Sequence, residues 1–195
     1  MANRFEGKSV VVTGASSGMG REIALEFAAE GATVVAVARR MERLEELAAQ
    51  AEGLSGTILP YPGDISSVEV NNGMIDYAVE KCGKLDILVN NAGIMDEFKP
   101  IAEVTDEQWE RVMKVNLDGP MFAMRRAVEV MLGHGTAGSI VNVASIEPEP
   151  HIQPPSTRSS ASPRIPLTCM RPTISAATSF ARAELRPRLW TANPI

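Results

Sequence analysis

One short run in this 195-residue chain has the residue types and spacing to hold a phosphorylated ligand, and a second stands out after a later strand-like run. The first is Thr13-Gly14-Ala15-Ser16-Ser17-Gly18-Met19-Gly20, set between an apolar run and a helical one. Glycines there let backbone come close to a pyrophosphate, and a helix N-terminus presents free N–H groups to anionic oxygens. Ser16 and Ser17 add hydroxyl donors. The second run is Asn90-Asn91-Ala92-Gly93. A third feature, Arg39-Arg40, closes the second strand-like run, where a guanidinium can pair bidentately with a phosphate. The plain alternative is a solvated arginine that opens a helix. Ser145 follows the last apolar run, where its plain reading is a strand-end serine. No tyrosine follows Tyr77 and no lysine follows Lys114.

The elements that must position these groups alternate between strand and helix, the pattern of a parallel sheet covered on both faces. Ser9-Val10-Val11-Val12-Thr13 is a nearly unbroken β-branched run, as expected of a doubly buried strand. Residues 21–30 carry apolar side chains at helical spacing, with Gly31 as the stop. A second strand covers 33–38 and a second helix 41–50, with Leu44 and Leu47 on one face. A third strand begins at Thr57-Ile58-Leu59, and Ser66 is expected to cap a helix running to about Lys81. Residues 85–89 form a fourth strand. Thr105-Asp106-Glu107-Gln108 starts a helix through Trp109, Val112, Met113, Met121 and Met124, with a kink at Gly119-Pro120. Gly133 and Gly135 end it, and a fifth strand covers 139–144. The methionines fall mostly at helix-face positions, where core packing is expected.

Bulk properties narrow the classes. The length suits one α/β domain, and 45% hydrophobic with 22% charged residues is ordinary for a globular protein. No run is apolar enough to span a bilayer, and the N-terminal residues do not read as a signal peptide. Cys82 and Cys169 lack metal-ligand spacing, so no metal site is expected and a reducing cytoplasm is the default. The net charge of −5 is concentrated before residue 146, which argues against nucleic-acid binding.

The spacing Thr-Gly-x-x-x-Gly-x-Gly resembles the short-chain dehydrogenase/reductase family, and four further motifs follow in that family's order. Asn90-Asn91-Ala92-Gly93 is similar to the segment that props the sheet beside the adenosine. Asp64-Ile65 resembles the acidic position that hydrogen-bonds the adenine ring. Asn116, in Lys114-Val115-Asn116, matches the helix-kink asparagine that holds a water in the proton relay. Ser145 sits where the family places its catalytic serine. The resemblance implies a Rossmann-type, doubly wound parallel α/β sheet of about five recognisable strands, and an oxidoreductase acting on a secondary alcohol or ketone. It assigns the cofactor contacts to Gly14, Ser16, Ser17, Gly18, Met19, Gly20, Arg39, Arg40, Asp64, Ile65, Asn91, Ala92 and Gly93, and catalytic roles to Ser145 and Asn116. An arginine in place of an acid at the end of strand two favours NADP(H) over NAD(H).

The family's Tyr-x-x-x-Lys pair has no counterpart. Residues 1–145 are expected to form the dinucleotide-binding domain, and 146–195 an irregular Pro/Ser/Arg-rich stretch in place of the catalytic helix region. That stretch holds nine of the thirteen prolines and no Gly, Val, Lys, Asp or Tyr. Ala183-Glu184-Leu185-Arg186-Pro187 and Thr191-Ala192-Asn193 resemble the family again, so an unfamiliar block of about residues 147–180 is flanked by family-like sequence. A shifted reading frame, a replacement or a natural insert would each produce this. The alternatives to an active enzyme are a non-catalytic nucleotide-binding protein and an inactive product of a frameshifted gene. The family's subunit contact involves the missing helix, leaving a homo-oligomer possible and the usual tetramer in doubt. A frameshift predicts that another frame of the gene spells a Tyr-x-x-x-Lys helix across this block; reading the nucleotide sequence decides it.

Overall fold

Continuous runs of β-branched residues make strands that are stable only with both faces covered. The chain satisfies this with five parallel strands in the order β3-β2-β1-β4-β5: β1 (Ser9–Thr13), β2 (Thr33–Ala38), β3 (Thr57–Pro62), β4 (Ile87–Asn90) and β5 (Ser139–Asn142). These come from a computed structural model that describes residues 3–95, 101–135 and 137–144. The fold is a Rossmann-type doubly wound α/β sheet. Helices α1 (Gly18–Ala29) and α2 (Met41–Gln50) belong to one side, and α3 (Val68–Cys82), α4 (Asp106–Met113) and α5 (Gly119–Gly133) follow in the chain.

Strand pleating divides the apolar residues between two cores. Val10, Val12, Val34 and Ala36 meet Ala24 and Ala28 of α1 and Leu44 and Leu47 of α2. Val11, Val35 and Leu88 meet Met74, Ile75 and Ala78 of α3 and Ala123 and Ala127 of α5. Each such side chain, fully buried, contributes about 1.5–3 kcal/mol. Pro60 and Pro62 fit inside β3 because it is an edge strand, and proline needs no ladder donor on an open side. At the other edge, no strand among the described residues pairs beyond β5, and Val141 and Val143 are 37% and 38% exposed.

Several expectations are refined. Helix α1 starts at Gly18, three residues before the expected boundary. Helix α3 is capped by Ser67, not Ser66: the Ser67 Oγ accepts from Val70 N–H, while the Ser66 N–H is already committed to the Asp64 carboxylate. The long helix does not simply kink at Pro120. A π-helical turn, Lys114–Asp118, separates α4 from α5, and Pro120 falls in the first turn of α5. The helix is continuous there, with the Gly119 N–H donating to the Lys114 carbonyl five residues back, and Pro120 supplies no N–H of its own to the ladder. The fifth strand ends at Asn142. Met74 and Met131 are core residues as expected, but Met41 and Met121, also at helix positions, are exposed. Helical spacing alone does not say which face a neighbour covers.

Order in the sheet creates the crevice. From β1 the chain winds outward through β2 to β3, then returns to the other side of β1 as β4. Loops leaving the C-terminal ends of β1 and β4 therefore diverge, and ligands of open α/β sheets bind at such a switch point.

The opposite end is tied by one carboxylate. Asp86, its side chain 5% exposed, accepts the Ser9 N–H at 3.0 Å and pairs with Lys8 and Lys84, each at 3.0 Å. Burial pushes the Asp86 carboxyl up, but the Ser9 hydrogen bond and the two ammonium groups more than offset it and hold the group below its ordinary value. A carboxylate with a depressed folded pKa stabilises the protein above the unfolded pKa of about 3.9, and that contribution disappears as pH falls through the folded value. Asp86→Asn is expected to cost about 1–3 kcal/mol at pH 7. The difference from wild type should shrink below about pH 4, as read by urea denaturation at each pH. A pH-independent difference would refute the linkage.

Candidate functional site

At the end of β1 one hydroxyl organises two loops. The Thr13 Oγ1 accepts the N–H groups of Asn91 and Ala92 at 3.0 and 3.1 Å and donates to the Val89 carbonyl at 3.4 Å. The Asn91 Nδ2 returns a hydrogen bond to the Thr13 carbonyl at 3.0 Å. The loop after β4 is thus fastened to the loop after β1 by side chains rather than by the ladder. One strand further out, the Asn90 Nδ2 donates to the Asn142 Oδ1 at 2.9 Å, extending the tie to β5.

The glycines divide the work. Gly14 has φ 71°, and a Cβ there would come within 2.8 Å of the Ala92 Cα and 2.9 Å of the Asn91 Nδ2. A Cβ on Gly20 would collide with the same Asn91 nitrogen and with the Gly14 carbonyl oxygen. Gly18, with φ 56°, faces open space and is required by backbone conformation alone. The outcome is an α1 whose N-terminus lies close against the sheet. Its N-cap, Ser17, makes no side-chain capping bond, and the first turn carries no acidic residue. The positive end of the helix dipole is left without a side-chain counter-charge there.

A cleft of about 340 Å³ opens in front of this helix end. Of the residues expected to bind a cofactor, Gly14, Ser16, Ser17, Met19, Arg39, Arg40, Asp64, Ile65, Asn91, Ala92 and Gly93 line it. Gly18 and Gly20 do not: one shapes the turn and the other is buried behind it. Arg39 and Arg40 are exposed, and neither guanidinium has a side-chain partner among the described residues. Asp64 is exposed on the far wall, with its Oδ1 accepting the Ser66 N–H at 3.0 Å. Asn116 stands on the π-turn and makes a reciprocal pair with Ile94. Its Oδ1 accepts the Ile94 N–H at 2.8 Å, and its Nδ2 donates to the Ile94 carbonyl at 2.9 Å. Ser145 lies outside the described residues.

Sequence reasoning gave no role to Thr13, Val37, Gly63, Ile94 or Val115. Thr13 was legible in part, since a threonine at the end of a buried strand leaves a hydroxyl to satisfy. Ile94 and Val115 carry no such signal. The chain's only tyrosines, Tyr61 and Tyr77, pack against each other with ring centres 5.4 Å apart and do not line the cleft. Burial, then the Asp76 carboxylate, pushes the Tyr61 hydroxyl up, away from easy ionisation. Lys114 is turned outward onto Glu110 at 3.4 Å. Among the described residues, no helix is long and apolar enough to cross a membrane.

Comparison with known proteins adds a family. The profile described as short chain dehydrogenase matches residues 8–153. The 3β-hydroxysteroid dehydrogenase 2 of Eggerthella lenta is 40% identical over 140 residues, covering 72% of this chain and 54% of the relative. The chain thus spans about half the length of that relative. Among solved structures, a metagenomic short-chain oxidoreductase in complex with NADP superposes with a TM-score of 0.69 at 30% identity, covering 73% of this chain and 64% of that one. An NAD⁺-bound xylitol dehydrogenase superposes with a TM-score of 0.68 at 32% identity, covering 73% and 54%.

The Gly20 contact is testable because helix propensity opposes it. In an open helix, Gly→Ala is favourable by about 1 kcal/mol. Gly20→Ala is expected to be destabilising instead, by about 1–3 kcal/mol, because the methyl must displace backbone. Urea denaturation of the variant reads the sign directly, and a gain in stability would refute the close contact.

Proposed function

This chain belongs to the short chain dehydrogenase family, and from that premise we propose that it binds NADP(H) in preference to NAD(H) as an oxidoreductase of secondary alcohols or ketones, with impaired turnover. In this reading residues 1–145 are the dinucleotide-binding domain. The pyrophosphate lies at the N-terminus of α1, against Gly14, Ser16, Ser17 and Met19. The adenine enters between Asp64-Ile65 and the Asn91-Ala92-Gly93 loop. The roles at the reacting carbon that the family resemblance implies fall to Asn116 and Ser145.

The observation that carries the preference is the rim at the end of β2. An acid there would accept from a ribose 2′-hydroxyl and repel a 2′-phosphate. Arg39 and Arg40 line the cleft with both guanidinium groups uncommitted among the described residues. Both cofactor types occur among the solved relatives, so the argument rests on this chain's own residues.

When bound, a nicotinamide cofactor would supply the hydride or accept it. In this reading Ser145 donates a hydrogen bond to the substrate oxygen, but a lone serine hydroxyl is no substitute for an activated proton donor. Residues 146–195 stand where the family carries Tyr-x-x-x-Lys and contain neither residue type. Loss of a positioned proton donor typically lowers rate by about 10²- to 10⁴-fold. A nucleotide-binding chain without turnover is the second reading, favoured by that same absence. The substrate class stays broad, since the relatives' names span a hydroxysteroid and a sugar alcohol.

The test is titration of wild type and Arg39→Ala with NADPH and with NADH, following nicotinamide fluorescence. Loss of a charge-assisted pair costs about 1.5–3 kcal/mol, so NADPH affinity should fall roughly 10- to 100-fold. NADH affinity should change by less than about 3-fold, because its 2′-hydroxyl offers no anion to the guanidinium. Equal losses for both cofactors would reject the 2′-phosphate site.

A further inference from the structure

The proposed adenine wall has a support that lies wholly behind it. Asn71, in the first turns of α3, is fully buried. Its Nδ2 donates to the Ile65 carbonyl at 2.6 Å and to the Ser67 carbonyl at 2.7 Å. Its Oδ1 has no partner among the described residues. A buried amide that uses only its donor end is not there to complete a polar network. Its nitrogen end is what the structure uses.

The Ile65 carbonyl and the Ser66 N–H belong to one planar peptide unit, so neither can rotate without the other. Asn71 holds the oxygen end of that plane. At the nitrogen end, the Ser66 N–H donates to the Asp64 Oδ1 at 3.0 Å. From the α5 side, Gly119 closes over the same carbonyl: a Cβ there would stand 2.6 Å from the Ile65 oxygen. The orientation of the Asp64 carboxylate, which faces the cleft, is therefore set by a plane clamped from inside the protein.

We propose that Asn71 is a positioning residue for purine selection. By fixing the 65–66 peptide plane it aims the free oxygen of Asp64 at an exocyclic amine on the bound base. This rests on the reading of Asp64 as the adenine contact. Without the Asn71 donor, no other described group is positioned to donate to the Ile65 carbonyl. A buried carbonyl without a partner turns toward solvent, and the turn withdraws the Ser66 N–H from Asp64. The carboxylate then loses its fixed direction. Ser67 is not exposed to this change, because its carbonyl also accepts the Asn71 backbone N–H at 3.2 Å.

The experiment compares NADPH with its hypoxanthine analogue, in which the 6-amino donor is replaced by an oxygen acceptor. Affinities are measured for wild type, Asn71→Ala and Ser67→Ala. Wild type is expected to prefer the adenine form at least 10-fold. Asn71→Ala should reduce that ratio to within about 2-fold of unity. Ser67→Ala, which destabilises α3 by removing its cap, should keep the wild-type ratio, so general weakening of the loop does not imitate the effect. Wild-type indifference to the base would overturn the Asp64 reading, and the proposal with it. Discrimination retained in Asn71→Ala would overturn the proposal alone. Should Asn71→Ala fail to fold, Gly119→Ala displaces the same carbonyl from the other side. A lost ratio there supports the proposal, and an unchanged one overturns it.

Discussion

Asn91 is wedged between Gly14 and Gly20, and its amide nitrogen fills the space that a Cβ on either glycine would need. Three pieces of chain far apart in sequence meet there: the end of β1, the first turn of α1 and the loop after β4. Because nothing larger than hydrogen fits at two of them, the helix end is drawn against the sheet and its N–H groups face the cleft. Thr13 completes the junction by accepting two N–H groups from the β4 loop with one oxygen. The arrangement converts a packing constraint into an electrostatic one, since the helix end is left without a counter-charge only where the backbone can come this close.

The site is assembled outward from that junction through peptide groups held by side-chain amides. Asn116 reads both the N–H and the carbonyl of Ile94, and Asn71 holds the carbonyl of Ile65. Gly119 ties the two systems, because it follows the π-turn that carries Asn116 and rests on the Ile65 oxygen. A five-residue π-turn widens the helix where α4 passes into α5, and such turns gather at functional positions. Here it brings one helix against two walls of the same cleft.

What could be read from the residues follows from how locally each feature is determined. The bounds of β1, β2 and α2 were legible because an unbroken β-branched run and an i, i+3 leucine pair each have one structural solution in a covered sheet. The phosphate loop was legible for a similar reason: glycine spacing, a preceding buried strand and a following amphipathic helix agree. Ser66 and Ser67 could not be ranked as caps, since either hydroxyl can accept from an N–H two or three residues on and only the backbone path decides which one does. The π-turn has no composition signal, and its cause lies partly in how α5 must meet Ile65. Exposed Met41 and Met121 sit at positions with ordinary helical spacing, and only the tertiary arrangement shows that nothing among the described residues covers them. Asn71 was invisible as a support, because an asparagine inside a helix gives no hint of which carbonyl it will meet.

In the proposed reading, binding and turnover depend on different parts of the chain. Every residue of the proposed phosphate and adenine contacts lies before residue 94, within the described structure. Proton transfer demands something else: a hydroxyl of lowered pKa within reach of the substrate oxygen. Neither tyrosine can supply it, as their rings pack together away from the cleft and burial moves Tyr61 in the opposite direction. Lys114 cannot supply the missing cation either, being committed to Glu110 on the outside of the helix. In the proposed reading the dinucleotide contacts and the proton transfer therefore rest on different residues, and affinity for the cofactor says nothing about rate.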